Sequence, residues 1–254
     1  MRFTIQKGTE KGPYREKNED SIGVLQKPET IDGIDGIFAV ADGLGGHERG
    51  EVASDMAISM FLRSLSIENQ NRKPTLKNLP GFLDSTISNI SQSICDIGFT
   101  GESMHRDPFT AGMATTLTVA VLSNQQIYIG HVGDSRAYLI RDENISQLTE
   151  DHTLVEDRIK QGLISRDRAK SFDRNIITQA LGLDKPIIPY TNSYEISIGD
   201  YILICSDGLY GFLDDIEIMD MIKNPIQDDI AGALIEAALA SGSNDNISVI
   251  LVSF

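Results

Sequence analysis

Phe38-Ala39-Val40-Ala41-Asp42-Gly43-Leu44-Gly45-Gly46-His47 is the stretch from which the rest of this chain is read. Residues 37–41 make a short apolar run of the kind a buried strand makes. The run stops at Asp42, and the glycines after it leave backbone free to approach something closely. A carboxylate at the mouth of a buried strand suits a metal ion or a ligand. Asp-Gly is also an ordinary turn pair, so the stretch alone leaves both readings open. Recurrence of the same device elsewhere in the chain favours a site.

Asp134 and Asp207 also follow apolar strand-like segments, residues 127–132 and 201–205, while Asp20 and Asp245 stand just before two others, 21–25 and 247–254. In an antiparallel sheet the C-terminal end of one strand lies beside the N-terminal end of its neighbour. Antiparallel pairing therefore gathers all five aspartates at one end of the fold. Such a cluster repels itself unless a cation sits among it. It brings no histidine pair and no Cys-x-x-Cys, so its donors are hard oxygens. These select Mg²⁺ or Mn²⁺, with Ca²⁺ a poorer choice for a catalyst, over Zn²⁺ or copper. Two such ions, about 3.5–4 Å apart, can hold and activate a water for in-line attack on phosphorus. Arg15 lies just upstream of Asp20, and its planar fork matches a phosphate. A surface salt bridge is its plainer reading.

Outward from this cluster the chain has the character of a globular protein. Its 254 residues, 41% hydrophobic and 23% charged, can bury the core of one domain. A net charge of −15 argues against nucleic acid and anionic membranes as partners. Cys95 and Cys205 sit in apolar periodic segments and read as buried free thiols in a reducing compartment. The first residues lack the apolar core of a signal peptide, and no apolar run approaches the roughly 20 residues of a membrane span. The expected location is the cytoplasm and the expected state a monomer.

Helical spacing predicts one helix after the glycines, with Val52, Met56 and Met60 as one stripe and Ala53, Ala57, Phe61 and Leu65 as the next. Leu83, Ile87, Ile90, Ile94 and Ile97 predict a second. The pattern then alternates. Leu117, Val119 and Val121 lead through a turn at Asn124-Gln125-Gln126 into residues 127–132, and 137–141 follow as another strand. Residues 153–182 are a mixed, charged, partly helical insertion, and strands resume at 194–197 and 201–205. Asp214-Asp215-Ile216-Glu217 opens a helix with a capping-box pattern, and Ile226, Ile230, Leu234 and Ala238 mark another. His131 reads as packed in a strand, His152 as a brace for the insertion, and His105 as a loop residue.

In order, Arg15-x-x-Asn18-Glu19-Asp20, the stretch from Phe38 to His47, Gly133-Asp134-Ser135-Arg136, Ser206-Asp207-Gly208 and Asp245-Asn246-Ile247-Ser248 resemble the motifs of the type 2C protein phosphatases. These are the metal-dependent Ser/Thr phosphatases of the PPM superfamily. Met113-Ala114-Thr115-Thr116, Leu148-Thr149-Glu150-Asp151-His152 and Ile177-Thr178-Gln179-Ala180-Leu181-Gly182 match more weakly between them. The resemblance spans essentially the whole chain, and Asp-Gly-Leu-Gly-Gly is similar to the bacterial branch. It implies an α+β fold, a four-layer α-β-β-α sandwich of two antiparallel sheets flanked by helices. It also implies one phosphatase domain over 1–254 with a flap at about 153–182.

The resemblance further implies roles. Asp42 bridges two core ions, Mn²⁺ or Mg²⁺, and the Gly43 carbonyl binds one of them. Asp207 and Asp245 complete the other shell, and Asp134 with Asp207 takes a weaker third ion. Asp20 supports water held by the metal, and Arg15 binds substrate phosphate. Glu19, Asn246 and His47 are candidates for support or for the acid. Many eukaryotic members carry a histidine directly after the metal-binding Asp-Gly, where this chain has Leu44, which cannot give up a proton. Ser171-Phe172 stands where bacterial members usually show His-Pro. Phosphorylated proteins, the targets of a Ser/Thr kinase, are the implied substrates. A phosphatase dedicated to one regulator in a partner-switching pathway, and an inactive binding module of the same fold, are the alternatives. Residues 154–175 carry six basic against four acidic side chains, a local +2 beside the site, and are expected to choose the substrate.

Overall fold

A computed structural model describes residues 2–27, 33–44, 49–65, 78–98, 112–169 and 176–254. Two antiparallel five-stranded sheets face each other. One runs β1 (Thr4–Glu10), β10 (Ile247–Ser253), β9 (Tyr201–Cys205), β6 (Arg136–Arg141), β7 (Asn144–Gln147). The other runs β2 (Asp20–Gln26), β3 (Gly36–Asp42), β4 (Leu117–Ser123), β5 (Gln126–Val132), β8 (Tyr190–Glu195). Helices α1 (Gly50–Ser64) and α2 (Leu79–Gly98) cover the second sheet, and α5 (Asp207–Tyr210), α6 (Asp215–Lys223) and α7 (Ile230–Ala240) cover the first. The expected α-β-β-α sandwich is the observed architecture.

The layers follow from the two-residue period of each strand. In β3, Phe38 and Val40 point between the sheets and pack with Ile204 and Ile250, while Ile37, Ala39 and Ala41 point outward against Ala53, Ala57 and Phe61. In β10, Ile250 and Val252 point inward while Val249 and Leu251 meet Leu234 and Ala238 of α7. Helices cover both outer faces, so the central strands are apolar on both sides. Truncating a residue such as Phe38 costs about 3–5 kcal/mol through the cavity left behind.

Where the observed elements depart from the sequence reading, the cause is exposure. The strand expected at 194–197 begins earlier, at Tyr190, and β7 was not anticipated at all. Both are polar edge strands that bury too little to carry a periodic signal. Ile226 lies outside α7 and is fully exposed, because the Asp229 side chain caps the helix and starts it at Ile230. Val52 and Ile97 are exposed, while Met56 and Met60 pack partly buried against the core beside Ala53, Ala57, Ile58, Phe61 and Leu65. The turn between β4 and β5 is Asn124-Gln125 alone, both at positive φ, with Gln126 already in the strand. The one-turn helix α5 was too short to read. Cys95 and Cys205 are buried free thiols, as expected. The capping box at Asp214 and Glu217 is formed. No helix among the described residues is long and apolar enough to cross a membrane.

Candidate active site

The register of β2 against β3 sets Asp20 directly opposite Asp42. Both share the parity of Phe38 and Val40, so both carboxyls enter the mouth of the sandwich between the two sheets. The backbone of Asp42 is held firmly. Its N–H donates to Thr116 Oγ1 at 2.9 Å, and its carbonyl accepts from the Thr116 N–H at 2.8 Å and Thr115 Oγ1 at 2.9 Å. Gly43 continues the edge, donating to the Glu19 carbonyl at 3.0 Å. A Cβ there would come within 2.6 Å of the Glu19 and Gly50 backbones, so the position admits no side chain.

The facing sheet supplies Asp207 and Asp245. Asp207 is the first residue of α5, directly after the Ser206 cap. Ser206 joins the sheets: its hydroxyl donates to Asp20 Oδ2 at 2.7 Å and accepts from the Ser248 N–H at 2.9 Å. Asp245 leads into β10 and accepts from Arg15 Nη2 at 2.6 Å. Asp134, buried in the link from β5 to β6, has its backbone carbonyl bound by the Tyr210 hydroxyl at 2.9 Å. The five aspartates named from the sequence therefore share one mouth, with Arg15 at its rim.

Their electrostatics are those of carboxylates crowded out of water. Burial first, then the charges of Asp20, Asp207, Asp134 and Asp245, push Asp42 well above the ordinary carboxylate range. Burial also raises Asp20, against the hydroxyl of Ser206, and raises Asp134 and Asp207, with Asp207 and Asp245 respectively adding repulsion. Asp20 Oδ1 is buried without a partner. Among the described residues, no three acidic, histidine or cysteine side chains yet close around one ion position. A buried, unpartnered oxygen, mutual repulsion and an all-oxygen donor set nevertheless fit a hard divalent cation.

The remaining candidates separate cleanly. Asn246 is a buried clamp. Its Oδ1 accepts from the Glu19 N–H at 2.8 Å, and its Nδ2 donates to the carbonyls of Lys11 and Lys17 at 2.7 and 3.1 Å. Glu19 is raised by burial and by Glu51, against the pull of Arg15. His47, His105, Ser171 and Phe172 lie outside the described residues. His131 is packed as expected, its Nδ1 2.8 Å from Thr118 Oγ1 and its ring stacked on His152. His152 Nδ1 accepts from the Gly133 N–H at 3.1 Å, and its carbonyl accepts from the Thr178 N–H, bracing the insertion against the Asp134 loop.

Residues 153–182 hold α3 (Leu154–Lys160) and α4 (Arg166–Ala169). The segment is pinned at its ends where Thr153 bridges Ile177 and Thr115 bridges Leu181, Thr115 also bridging Gly43. Lys160 pairs with Glu150 and Arg166 with Glu156. The sequence reading assigned no role to Ser206, Tyr210 or Arg136. Arg136 grips Asp151 at 2.6 Å and stacks over Tyr210 at 3.7 Å, fixing the helix that starts at Asp207. Their signal was position: a hydroxyl directly before Asp207, and an arginine two residues after Asp134.

Comparison with known proteins places this geometry in a family. The sequence profile of "Protein phosphatase 2C" matches residues 15–231. The chain is 33% identical over 246 residues, 96% of itself and 93% of its relative, to the serine/threonine phosphatase stp of Listeria monocytogenes. It superposes on serine/threonine phosphatase Stp1 of Staphylococcus aureus with a TM-score of 0.87 and 29% identity, covering 100% of this chain and 96% of that one. It also superposes on the catalytic domain of the serine/threonine phosphatase PstP in complex with two manganese ions, with a TM-score of 0.78 and 30% identity, covering 99% and 97%.

Proposed function

This chain belongs to the protein phosphatase 2C family and is a serine/threonine protein phosphatase, and from that premise we propose how its own residues divide the work. Asp42, the Gly43 carbonyl, Asp207 and Asp245 hold two hard divalent ions, Mn²⁺ or Mg²⁺. Asp134 with Asp207 holds a weaker third. Bound there, the ions supply Lewis-acid polarisation of the phosphoryl group and lower the pKa of the attacking water.

The protein's own part is positioning and charge. Arg15 holds two phosphoryl oxygens with its guanidinium fork and stabilises the charge that grows there. Asp20 accepts a hydrogen bond from the attacking water at Oδ1, while Ser206 fixes its other oxygen. Asn246 keeps the segment carrying Arg15 at its distance from Asp245. Residues 153–182 form the flap, and phosphoproteins produced by a Ser/Thr kinase are the substrates. The observation that carries this reading is the cross-strand pair Asp20–Asp42, met at the sandwich mouth by Asp207 and Asp245 from the other sheet. The test is phosphate release from a phosphothreonine peptide with and without Mn²⁺. Release that needs the metal supports it, and full turnover in excess chelator overturns it.

A further inference from the structure

We propose that Tyr14 and Asn244 form a shelf that binds the peptide chain flanking the phosphoresidue, so that substrate sequence is read at the Arg15 end of the site and not by the flap alone. The proposal rests on Arg15 holding the phosphate.

Tyr14 directly precedes Arg15, and 79% of it is exposed. A solvent-facing aromatic ring forgoes about 2 kcal/mol of burial, and the main chain that carries it is tied down. Pro13 fixes φ just before the ring. Asn246 ties down both ends of the segment through the carbonyls of Lys11 and Lys17. Tyr14, Arg15, Gly242 and Asn244 line an open recess of about 550 Å³. Gly242 has φ +94°, and a Cβ there would meet nothing within 4 Å, so the left-handed turn demands glycine and leaves the recess floor bare. Asn244 is exposed beside it.

The occupant follows from covalent reach. Arg15 turns inward to Asp245, so a phosphate it holds sits at the rim of the metal cluster. A phosphothreonine side chain is short, and successive Cα atoms are about 3.8 Å apart. The residue next to the phosphothreonine therefore comes within reach of a ring carried one residue from Arg15, in the recess that both line. A tyrosine face packs against an amide plane, a proline ring or an aliphatic side chain. The Asn244 amide offers both a donor and an acceptor to an extended main chain. A tyrosine side chain has only two torsions to fix on binding, which is why tyrosines make effective anchors.

The experiment compares Tyr14→Ala and Tyr14→Phe on a phosphothreonine heptapeptide and on free O-phosphothreonine, with Mn²⁺ present. For Tyr14→Ala the peptide KM is expected to rise about five- to tenfold, kcat to move less than about twofold, and free phosphothreonine to be affected less than about twofold. Tyr14→Phe keeps the ring and should retain the wild-type peptide KM. An unmoved peptide KM, equal losses on both substrates, or Tyr14→Phe behaving like Tyr14→Ala would each overturn the shelf. Inhibition by inorganic phosphate in Arg15→Gln is measured alongside. If that inhibition survives, the Arg15 assignment has failed and the shelf loses its premise; if it is weakened while Tyr14→Ala leaves the peptide KM unmoved, the shelf alone has failed.

Discussion

Arg15 Nη2 donates to Asp245 Oδ2 at 2.6 Å, joining residues 230 positions apart in the chain. Burial lowers the affinity of the guanidinium for its proton, but hydrogen bonding to Asp245 and the charges of Glu19 and Asp42 more than offset this, leaving the arginine firmly charged. The cation proposed to hold substrate phosphate thus already neutralises one oxygen of a carboxylate proposed to hold metal.

Arg15→Gln should therefore separate phosphate from metal. A charge-assisted contact is worth about 1.5–3 kcal/mol, so the inhibition constant for inorganic phosphate should rise about 10- to 100-fold. Mn²⁺ affinity, followed by thermal shift without substrate, should not fall, because a competing cation has left Asp245. Unchanged phosphate inhibition returns Arg15 to a rim salt bridge.

Asp42→Asn should abolish turnover, by more than about 100-fold, while the chain stays folded. In chelator its melting temperature should equal or exceed the parent's. The substitution removes the repulsion that Asp20, Asp207, Asp134 and Asp245 exert on the Asp42 carboxylate. Near-normal rates would show that the cluster has been misassigned.

Metal itself should stabilise the fold. Saturating Mn²⁺ at about 100 times its dissociation constant contributes about 2.7 kcal/mol, seen as a higher melting temperature that chelator reverses. The shift should vanish in Asp42→Asn. A melting temperature indifferent to Mn²⁺, with activity intact, would sink the two-ion reading.

His131 sets an acid limit on stability. Burial, and then the neighbouring His152, push its pKa down from 6.5 to about 3. The unfolded chain therefore takes up a proton that the folded one refuses. Stability should fall as pH drops below 6.5, by about 1.4 kcal/mol per unit from this group, until about pH 3. Urea unfolding across pH 5–7 should show a shallower slope in His131→Gln, whatever its absolute stability. An unaltered slope would assign the acid sensitivity elsewhere.

Neutralising Arg166 and Arg168 with Lys170 tests the flap. Loss on a phosphoprotein, with a small aryl phosphate hydrolysed as before, is expected if these charges recognise substrate. Arg166 already pairs with Glu156, and equal behaviour on both substrates would make them a solvated surface.

Much of this was legible in the sequence because it is local. An apolar run ending in Asp42, repeated at Asp134 and Asp207, fixes strand ends through short-range periodicity, and a cluster of hard oxygens implies its cation by chemistry alone. Phe38 and Ile37 illustrate the limit. Strands covered on both faces carry no alternation, so which of the two looks into the sandwich was decided only when both sheets packed. The edge strand β7 escaped, and β8 was placed too late, because both bury too little to leave a clear pattern. The Ser206–Asp20 link, the partner of Arg15 and the Asn246 clamp on the segment that carries Tyr14 depend on residues more than 180 positions apart. No period in the chain encodes those distances. Sheet register and the facing of the two sheets determine them, and both are settled by burial of the whole core at once.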